Sequence, residues 1–377
     1  MVSIHNVLNS EDQRYMALAL KLAARGVGCT SPNPMVGAVV VRDGYIVGRG
    51  YHRRYGGPHA EVEALRQAGS QADGATLYVT LEPCNHYGQT PPCTEAILAA
   101  GIRRVVIANS DPNPHVAGGG AAYLQSKGLL VQSGLLAKAG SRLNEAFFKA
   151  MTTGQPFVIA KAAASLDGKI ATRTNDSQWI TGAPARTWVH RLRHQVDAIL
   201  VGVGTVMADD PQLTTRLPKG QGKDPIRLVL DSRLRLPLNA KVLTQISAAP
   251  TWMVCTPSAP SEKITAIQEL GAEVIITPAI ENRVELRTLL KILGERRIQS
   301  LLVEGGAEVQ GAFFDAGLVD KFHLFLAPKF IGGRQAPGIL GGLGASRLAE
   351  AQLVHDLSIR RIGEDILISG YLTTPAG

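Results

Sequence analysis

Cysteine is scarce: Cys29, Cys84, Cys93 and Cys255 are the only four in 377 residues. So few cannot staple a chain of this length, which excludes a disulfide-built secreted fold. Long apolar runs are missing as well. No stretch approaches the roughly 18–20 apolar residues that cross a bilayer, and Ser3, His5 and Asn6 interrupt the residues after Met1 where a secretory leader needs an apolar core. The expected setting is therefore a reducing cytoplasm without a membrane partner, where a close cysteine pair reads as metal-binding or redox-active. Aromatics make up only 5%, yet hydrophobic residues reach 45% and charged ones only 19%, which excludes wholesale disorder. Charge runs of one sign are absent too. The net charge of +8 divides evenly between residues 1–150 and 151–377, with no basic tail. A nucleic-acid footprint would be clustered, so phosphorylated small molecules are the expected partners and nucleic acid is not.

What is present is α/β alternation. The length suits two to three domains. Ser10-Glu11-Asp12-Gln13 predicts a capping box opening a helix that ends before Gly26. Residues 35–41 and 45–49, joined by Arg42-Asp43-Gly44, predict a β-hairpin. Helices at 60–68, 94–100 and 120–126 then alternate with strands at 75–80, 104–108 and 129–132. A helix over 136–151 stops at Thr152-Thr153-Gly154-Gln155-Pro156. The boundary belongs there, dividing the chain into 1–153 and 154–377. Strands at 157–162, 198–201, 226–230, 252–255, 273–276, 300–303, 321–327 and 365–369 continue beyond it. Helices at 185–194, 262–270, 284–293 and 307–316 fit between them, so each half reads as an α/β sheet.

The densest chemistry lies between positions 59 and 93. His59-Ala60-Glu61 opens a helix, Pro83-Cys84 follows a strand, and Cys93 opens another helix. One imidazole and two thiolates suit a tetrahedral Zn2+ with its fourth position left to water. Glu61 can stand beside that water, take its proton and later deliver it to a departing amine. His-x-Glu followed by Pro-Cys-x-x-Cys is the zinc nucleobase-deaminase signature. Here eight residues separate the cysteines instead of two. Asn33, between two prolines, either presents its amide to a pyrimidine edge or makes a plain turn. His52 and His86 either face a ribose phosphate or are ordinary exposed loop histidines. Cys29 and Cys255 read as small core residues.

In the second half, Gly202-Val203-Gly204-Thr205 follows a strand but lacks the full G-x-G-x-x-G, since position 207 is Met207. Val303-Glu304-Gly305-Gly306-Ala307 is a strand-to-helix turn that either cradles a pyrophosphate or is merely tight.

Three segments carry a resemblance: Pro32-Asn33-Pro34-Met35-Val36-Gly37-Ala38-Val39, Gly57-Pro58-His59-Ala60-Glu61 and the run from Leu81-Glu82-Pro83-Cys84 to Pro91-Pro92-Cys93. They resemble the bifunctional deaminase/reductase family of riboflavin biosynthesis, which has the eight-residue gap. The resemblance implies an α/β chain with a cytidine-deaminase-like α/β/α domain followed by a dihydrofolate-reductase-like α/β domain. It implies His59, Cys84 and Cys93 as zinc ligands, Glu61 as proton shuttle and a pyrimidine ribosylamino 5′-phosphate as substrate. The second half matches through Lys161 to Ile170, Ser177-Gln178-Trp179-Ile180-Thr181, Met207 to Thr214 and the Glu304-Gly305-Gly306 turn. There it implies NADPH contacts at Ala163, Trp179, Thr205, Asp209, Ser232 and Gly306. Substrate contacts are implied at Lys161, Ser177, Arg193, Leu213, Arg216 and Glu304, and self-association into a homo-oligomer is a further implication.

Arg193 and Arg216 can fork onto a 5′-phosphate, and Arg233 beside Ser232 can meet the 2′-phosphate of NADPH. Asp209 and Asp210 have the alternative of capping a helix or fixing a turn. Two other readings compete. A nucleic-acid base deaminase with an accessory domain would carry the shorter cysteine spacing and clustered basic residues. A purely structural zinc would want a fourth protein ligand, for which His86 is the candidate.

Overall fold

The structure is a computed structural model that describes residues 9–87, 91–113, 119–220 and 222–373. The chain divides into two compact units that meet between Thr153 and Gly154. Each unit is described by itself.

Unit 1 begins with α1, Ser10–Ala23, capped one residue earlier than expected. The Asn9 side chain accepts from the Asp12 N–H at 2.8 Å, and Asp12 accepts from the Asn9 N–H at 3.0 Å. Asp12, not Gln13, closes the box because its carboxylate is also fixed by Arg104 and the Tyr78 hydroxyl. The hairpin is β1, Gly37–Arg42, and β2, Tyr45–Tyr51. Its turn holds Asp43 at φ 48° and Gly44 at φ 79°, the left-handed pair that a two-residue hairpin needs. There follow α2 (Ala60–Ala68), β3 (Thr76–Leu81), α3 (Cys93–Ala99), β4 (Arg104–Asn109), α4 (Gly120–Ser126) and β5 (Leu130–Ser133). The expected last helix is two, α5 (Ala137–Leu143) and α6 (Glu145–Thr153). They break at Asn144, whose amide both accepts from the Met35 N–H (2.8 Å) and donates to the Met35 carbonyl (2.9 Å).

The five strands run in the order β2-β1-β3-β4-β5, with β3, β4 and β5 parallel. Alternation sorts the side chains. Val39, Val41, Tyr78 and Val106 meet α1 on one face, while Ala38, Val40, Leu77, Val79 and Val105 meet α2, α3 and α4 on the other. Gly48 and Gly50 let α2 lie against the β2 backbone. A Cβ at either would stand 2.1 Å from a carbonyl oxygen of α2, Ala64 or Ala60.

Unit 2 starts with β6 (Phe157–Ser165), α7 (Ala183–Gln195), β7 (Ala198–Gly202) and α8 (Val203–Asp209). Next come β8 (Ile226–Leu230), α9 (Lys241–Thr244), β9 (Thr251–Cys255), α10 (Ser261–Glu269) and β10 (Glu273–Ile276). A two-residue ribbon, β11 (Ala279–Ile280) and β12 (Arg283–Val284), precedes α11 (Leu286–Glu295), β13 (Ser300–Val303) and α12 (Ala307–Asp315). The chain finishes with β14 (Lys321–Ala327), β15 (His355–Ile362) and β16 (Asp365–Tyr371). The sheet order is β10-β9-β8-β7-β13-β6-β14-β16-β15, parallel through β14 and antiparallel in the last two. β7 and β13 are buried along their whole length, as central parallel strands are. β15 escaped the sequence reading because it is an edge strand exposed along nearly all its length, so no apolar alternation marks it. Among the described residues no helix is long and apolar enough to cross a membrane.

Candidate active sites

In unit 1 three chain segments end at one point. His59 is the residue before α2 and Cys93 the first of α3. Cys84 follows β3 after Glu82-Pro83, and its loop is tied to α3 by the Thr94 hydroxyl, which donates to Asn85 Oδ1 at 2.8 Å. His59 Nδ1 lies 3.2 Å from Cys93 Sγ and 3.6 Å from Cys84 Sγ, and the three ligand atoms are within 4.8 Å of one another. The Cys93 N–H also donates to Cys84 Sγ at 3.3 Å.

The charges favour a cation. A hydrogen bond from Cys93, together with His59, holds the Cys84 thiol down to about 4 against the cost of burial. The Cys84 sulfur in turn pushes His59 up, and Cys93 is pushed up by Cys84 and by burial. A nitrogen and two sulfurs at this spacing fit Zn2+ by donor softness and number. Glu61, on the first turn of α2, is 3% exposed, and burial pushes its carboxyl up. Among the described residues His86 does not join this cluster; it is exposed, which leaves a structural zinc without its fourth protein ligand.

His52 departs from the loop-histidine reading. It is 2% exposed, stands edge-on to His59, and burial pushes its imidazole down. Its Nδ1 lies 3.0 Å from the Pro58 carbonyl, so it is the donor there, and Nε2 accepts from the Asn33 amide at 3.2 Å. That contact turns the Asn33 oxygen to the side away from His52. Cys29 is exposed rather than a core residue, whereas Cys255 is buried at the end of β9.

In unit 2 the charged groups meet where β6 and β13 run side by side. Lys161 on β6 is 3.8 Å from Glu304, which directly follows β13. Arg193 of α7 grips Glu304 with two prongs, Nε to Oε1 at 2.9 Å and Nη2 to Oε2 at 2.8 Å, and Nη1 donates to the Thr214 carbonyl at 3.1 Å. The fork expected to meet a phosphate is thus turned onto a carboxylate. Burial would raise Glu304, but Arg193 and Lys161 overrule it and hold the carboxyl near 2. Burial pulls Lys161 below its ordinary value, with Glu304 opposing.

Arg216 donates from Nη1 to Gln212 and to the Thr214 hydroxyl. The Leu213 side chain is 2% exposed with φ at 55°, so its backbone is what it offers a ligand. Gly202 to Thr205 is not a glycine loop but the start of α8. At its far end Asp209 accepts from the Ser177 hydroxyl at 3.1 Å, while Asp210 fixes the start of α9 through the Lys241 N–H. Gly306 precedes α12, and a methyl group there would come 3.8 Å from Thr205 Oγ1. A side chain at Gly305 would strike Val309 at 2.6 Å. Backbone N–H groups bare of side chains at a helix start fit a pyrophosphate. Trp179 is 63% exposed under the Arg186 guanidinium, Ala163 lies two residues beyond Lys161 on β6, and Ser232 sits half-buried in the turn after β8. A cavity of about 720 Å3 in this unit is lined by Ala160, Ala162, Phe322 and Leu324 but by neither Lys161 nor Glu304, so the charged groups lie outside it.

Two positions were missed in the sequence. Asn144 gave no signal, because nothing local marks a side chain that bonds a backbone 109 residues away. His190 had one, its place on the helical face of Arg193.

Two family models match the chain: the cytidine and deoxycytidylate deaminase zinc-binding region over residues 9–109, and the RibD C-terminal domain over residues 156–368. The riboflavin biosynthesis protein RibD of Bacillus amyloliquefaciens is 47% identical over 358 residues, covering 95% of each chain. That of Escherichia coli is 43% identical over 95% of this chain and 98% of its own. Acinetobacter baumannii RibD superposes with a TM-score of 0.87 at 39% identity, over 97% of this chain and 99% of that one. A Thermotoga maritima structure, described as a diaminohydroxyphosphoribosylaminopyrimidine deaminase/5-amino-6-(5-phosphoribosylamino)uracil reductase, gives 0.84 at 36% identity, with 95% and 98% covered. The expectation of a deaminase-like domain followed by a dihydrofolate-reductase-like one is borne out by these matches. Sharing more than two fifths of its residues with such relatives over nearly its whole length, the chain belongs to the RibD family of riboflavin biosynthesis.

Proposed function

We infer that the protein catalyses two consecutive steps of riboflavin biosynthesis, deamination in residues 1–153 and reduction in residues 154–377. The substrate of the first step is 2,5-diamino-6-(5-phosphoribosylamino)pyrimidin-4(3H)-one. The second acts on its deaminated product, 5-amino-6-(5-phosphoribosylamino)uracil. The observation that carries this reading is the convergence of His59, Cys84 and Cys93 within 4.8 Å beside a buried Glu61.

His59, Cys84 and Cys93 would hold Zn2+, which when bound lowers the pKa of a water molecule. Glu61 takes a proton from the attacking water and gives it to the departing 2-amino group. Water adds at C2, the C–N bond breaks, and ammonia leaves with a carbonyl in its place. The raised pKa of Glu61 suits a group that must first accept and then return a proton near neutrality. The Asn33 oxygen, oriented by His52, accepts from an N–H on the pyrimidine edge.

In the second unit NADPH, when bound, supplies a hydride. Gly306, Thr205, Ser232, Asp209, Ala163 and Trp179 are the residues assigned to it. Opening of the sugar ring gives a C1′=N bond; the hydride goes to C1′ and a proton to the nitrogen, leaving a ribitylamino chain. Glu304, held near 2, is a carboxylate at neutral pH and has no proton to give. Lys161 is the remaining acid, its proton loosened by burial. Ser177, Leu213 and Arg216 complete the substrate contacts.

Following ammonia release and NADPH oxidation separately, in one anaerobic incubation with the diaminopyrimidine substrate, tests the reading. Both are expected, ammonia first. Zinc-replete protein that releases no ammonia would overturn the first assignment, and NADPH oxidation no faster than the buffer blank would overturn the second. Self-association is checked by sedimentation of the same sample.

A further inference from the structure

Arg193 is not the only residue of α7 that reaches the Thr214–Arg216 segment. His190 stands one turn before it on the same helical face, and its Nδ1 accepts from the Arg216 backbone N–H at 3.3 Å. His194, one turn after His190, repeats the contact: its Nδ1 accepts from the Lys223 N–H at 3.0 Å. Between these two pins, Arg193 holds the Thr214 carbonyl. Thr215 is tied from the other side, its N–H donating to Asp224 at 2.7 Å and its hydroxyl to the Lys223 carbonyl at 2.9 Å. One helical face therefore sets the position of the strand of chain that carries Arg216.

An imidazole is an odd choice between two guanidinium groups unless it stays neutral. Burial first, then Arg193 and Arg216, push His190 down to about 4, while Glu304 and the Thr214 carbonyl pull the other way. A neutral ring keeps the Nδ1 lone pair available, which a lysine or arginine at this place would not supply.

We propose that His190 is a positioning residue of the reductase site: by accepting the Arg216 N–H it fixes the Arg216 side chain where it meets the 5′-phosphate of the substrate. Arg193 is engaged by Glu304 through two of its nitrogens, which leaves Arg216 as the cation whose place depends on this pin. This rests on the reductase reading above.

The test uses the full-length enzyme and the pre-deaminated substrate, with three variants. H190A removes the acceptor. H190N keeps an oxygen close to where Nδ1 was, and H190Q carries its acceptor further out, where Nε2 was. With H190A the KM for the phosphorylated pyrimidine should rise roughly tenfold, with kcat and the KM for NADPH changed less than twofold; one lost hydrogen bond has about this worth. H190N should restore most of the loss and H190Q little of it. Combining H190A with R216A should add nothing to R216A alone, because the pin on the Arg216 backbone acts on the substrate only through the Arg216 side chain. Rescue by H190Q and not by H190N would overturn the proposal in favour of direct contact through Nε2. Additive losses in the double variant would overturn it as well. Ammonia release by all variants should match the wild type, and an unchanged KM for NADPH reports that unit 2 itself has folded. A wild-type enzyme that fails to oxidise NADPH would instead defeat the underlying reading, and is told apart from the others by that control.

Discussion

The residues that meet in unit 1 lie between positions 59 and 93, and they bring two sulfurs, an imidazole and an acid together. In unit 2 the meeting residues are drawn from positions 161, 193 and 304, and two cations there share one carboxylate, which leaves a net charge of one. The first arrangement is a set of metal donors. The second works by placement: Glu304 holds two cations still, and the sheet order sets β13 beside β6, so that Glu304 leaves β13 next to Lys161 and meets Arg193 of α7. The contrast teaches that neighbouring local motifs can gather a set of metal donors, whereas topology can bring a carboxylate and two cations together from distant parts of the chain.

The sharpest way to break the comparison is Glu61→Gln. Loss of the proton shuttle should lower ammonia release by roughly 10²–10⁴-fold. NADPH oxidation with pre-deaminated substrate should stay within twofold of wild type. Loss of both activities would show that the two sites are not independent. Removing zinc with a chelator should have the same one-sided effect on activity. It should also lower the melting temperature of unit 1, since a metal bound only by the folded state stabilises it by mass action.

Lys161→Met is the counterpart in unit 2. As the assigned acid its loss should lower reductase kcat by roughly 10²-fold or more with little change in KM. A change confined to KM would reassign Lys161 to binding the sugar hydroxyls.

Glu304→Gln attacks the ion pairs themselves. Two largely covered cations lose their shared partner, and unit 2 should be destabilised by about 3–5 kcal/mol, read by denaturant unfolding. The pH dependence follows from the sign of the shift. Glu304 is held near 2 against an ordinary 4.5, so its stabilisation is fully present above 4.5 and is lost as pH falls through about 2. Acid unfolding of unit 2 in the wild type should therefore steepen between those values, and the Gln variant should lack that component.

The same contrast decides what could be read from the sequence. His59, Glu61, Cys84 and Cys93 are legible because each sits at a helix start or strand end that local rules predict. Most strands of unit 2 were legible too, being short runs dominated by apolar residues. β15 was not, since an exposed edge strand has no buried face to write into its pattern. The pairing of Arg193 with Glu304 was beyond reach as well. Spacing along the chain says nothing about two residues 111 positions apart, so a free arginine and a committed one look alike. His52 was misplaced for the same reason: only its packing against His59 shows it to be buried.

Asn144 gives the smallest effect and the finest test of the comparison, because it makes unit 1 depend on topology after all. From the break between α5 and α6 it bonds both backbone groups of Met35, and so anchors the segment that carries Asn33. Asn144→Ala strands the half-buried Met35 N–H and should cost unit 1 about 1–3 kcal/mol. If the anchor also places Asn33, the deaminase KM should rise a few-fold while kcat and zinc content hold. Gly48 and Gly50 seat α2 on β2 independently of this anchor, so the zinc residues have no reason to move with it. A fall in zinc content would mean instead that the motif and its remote support form a single structure, and the distinction between a local and an assembled site would then fail in unit 1.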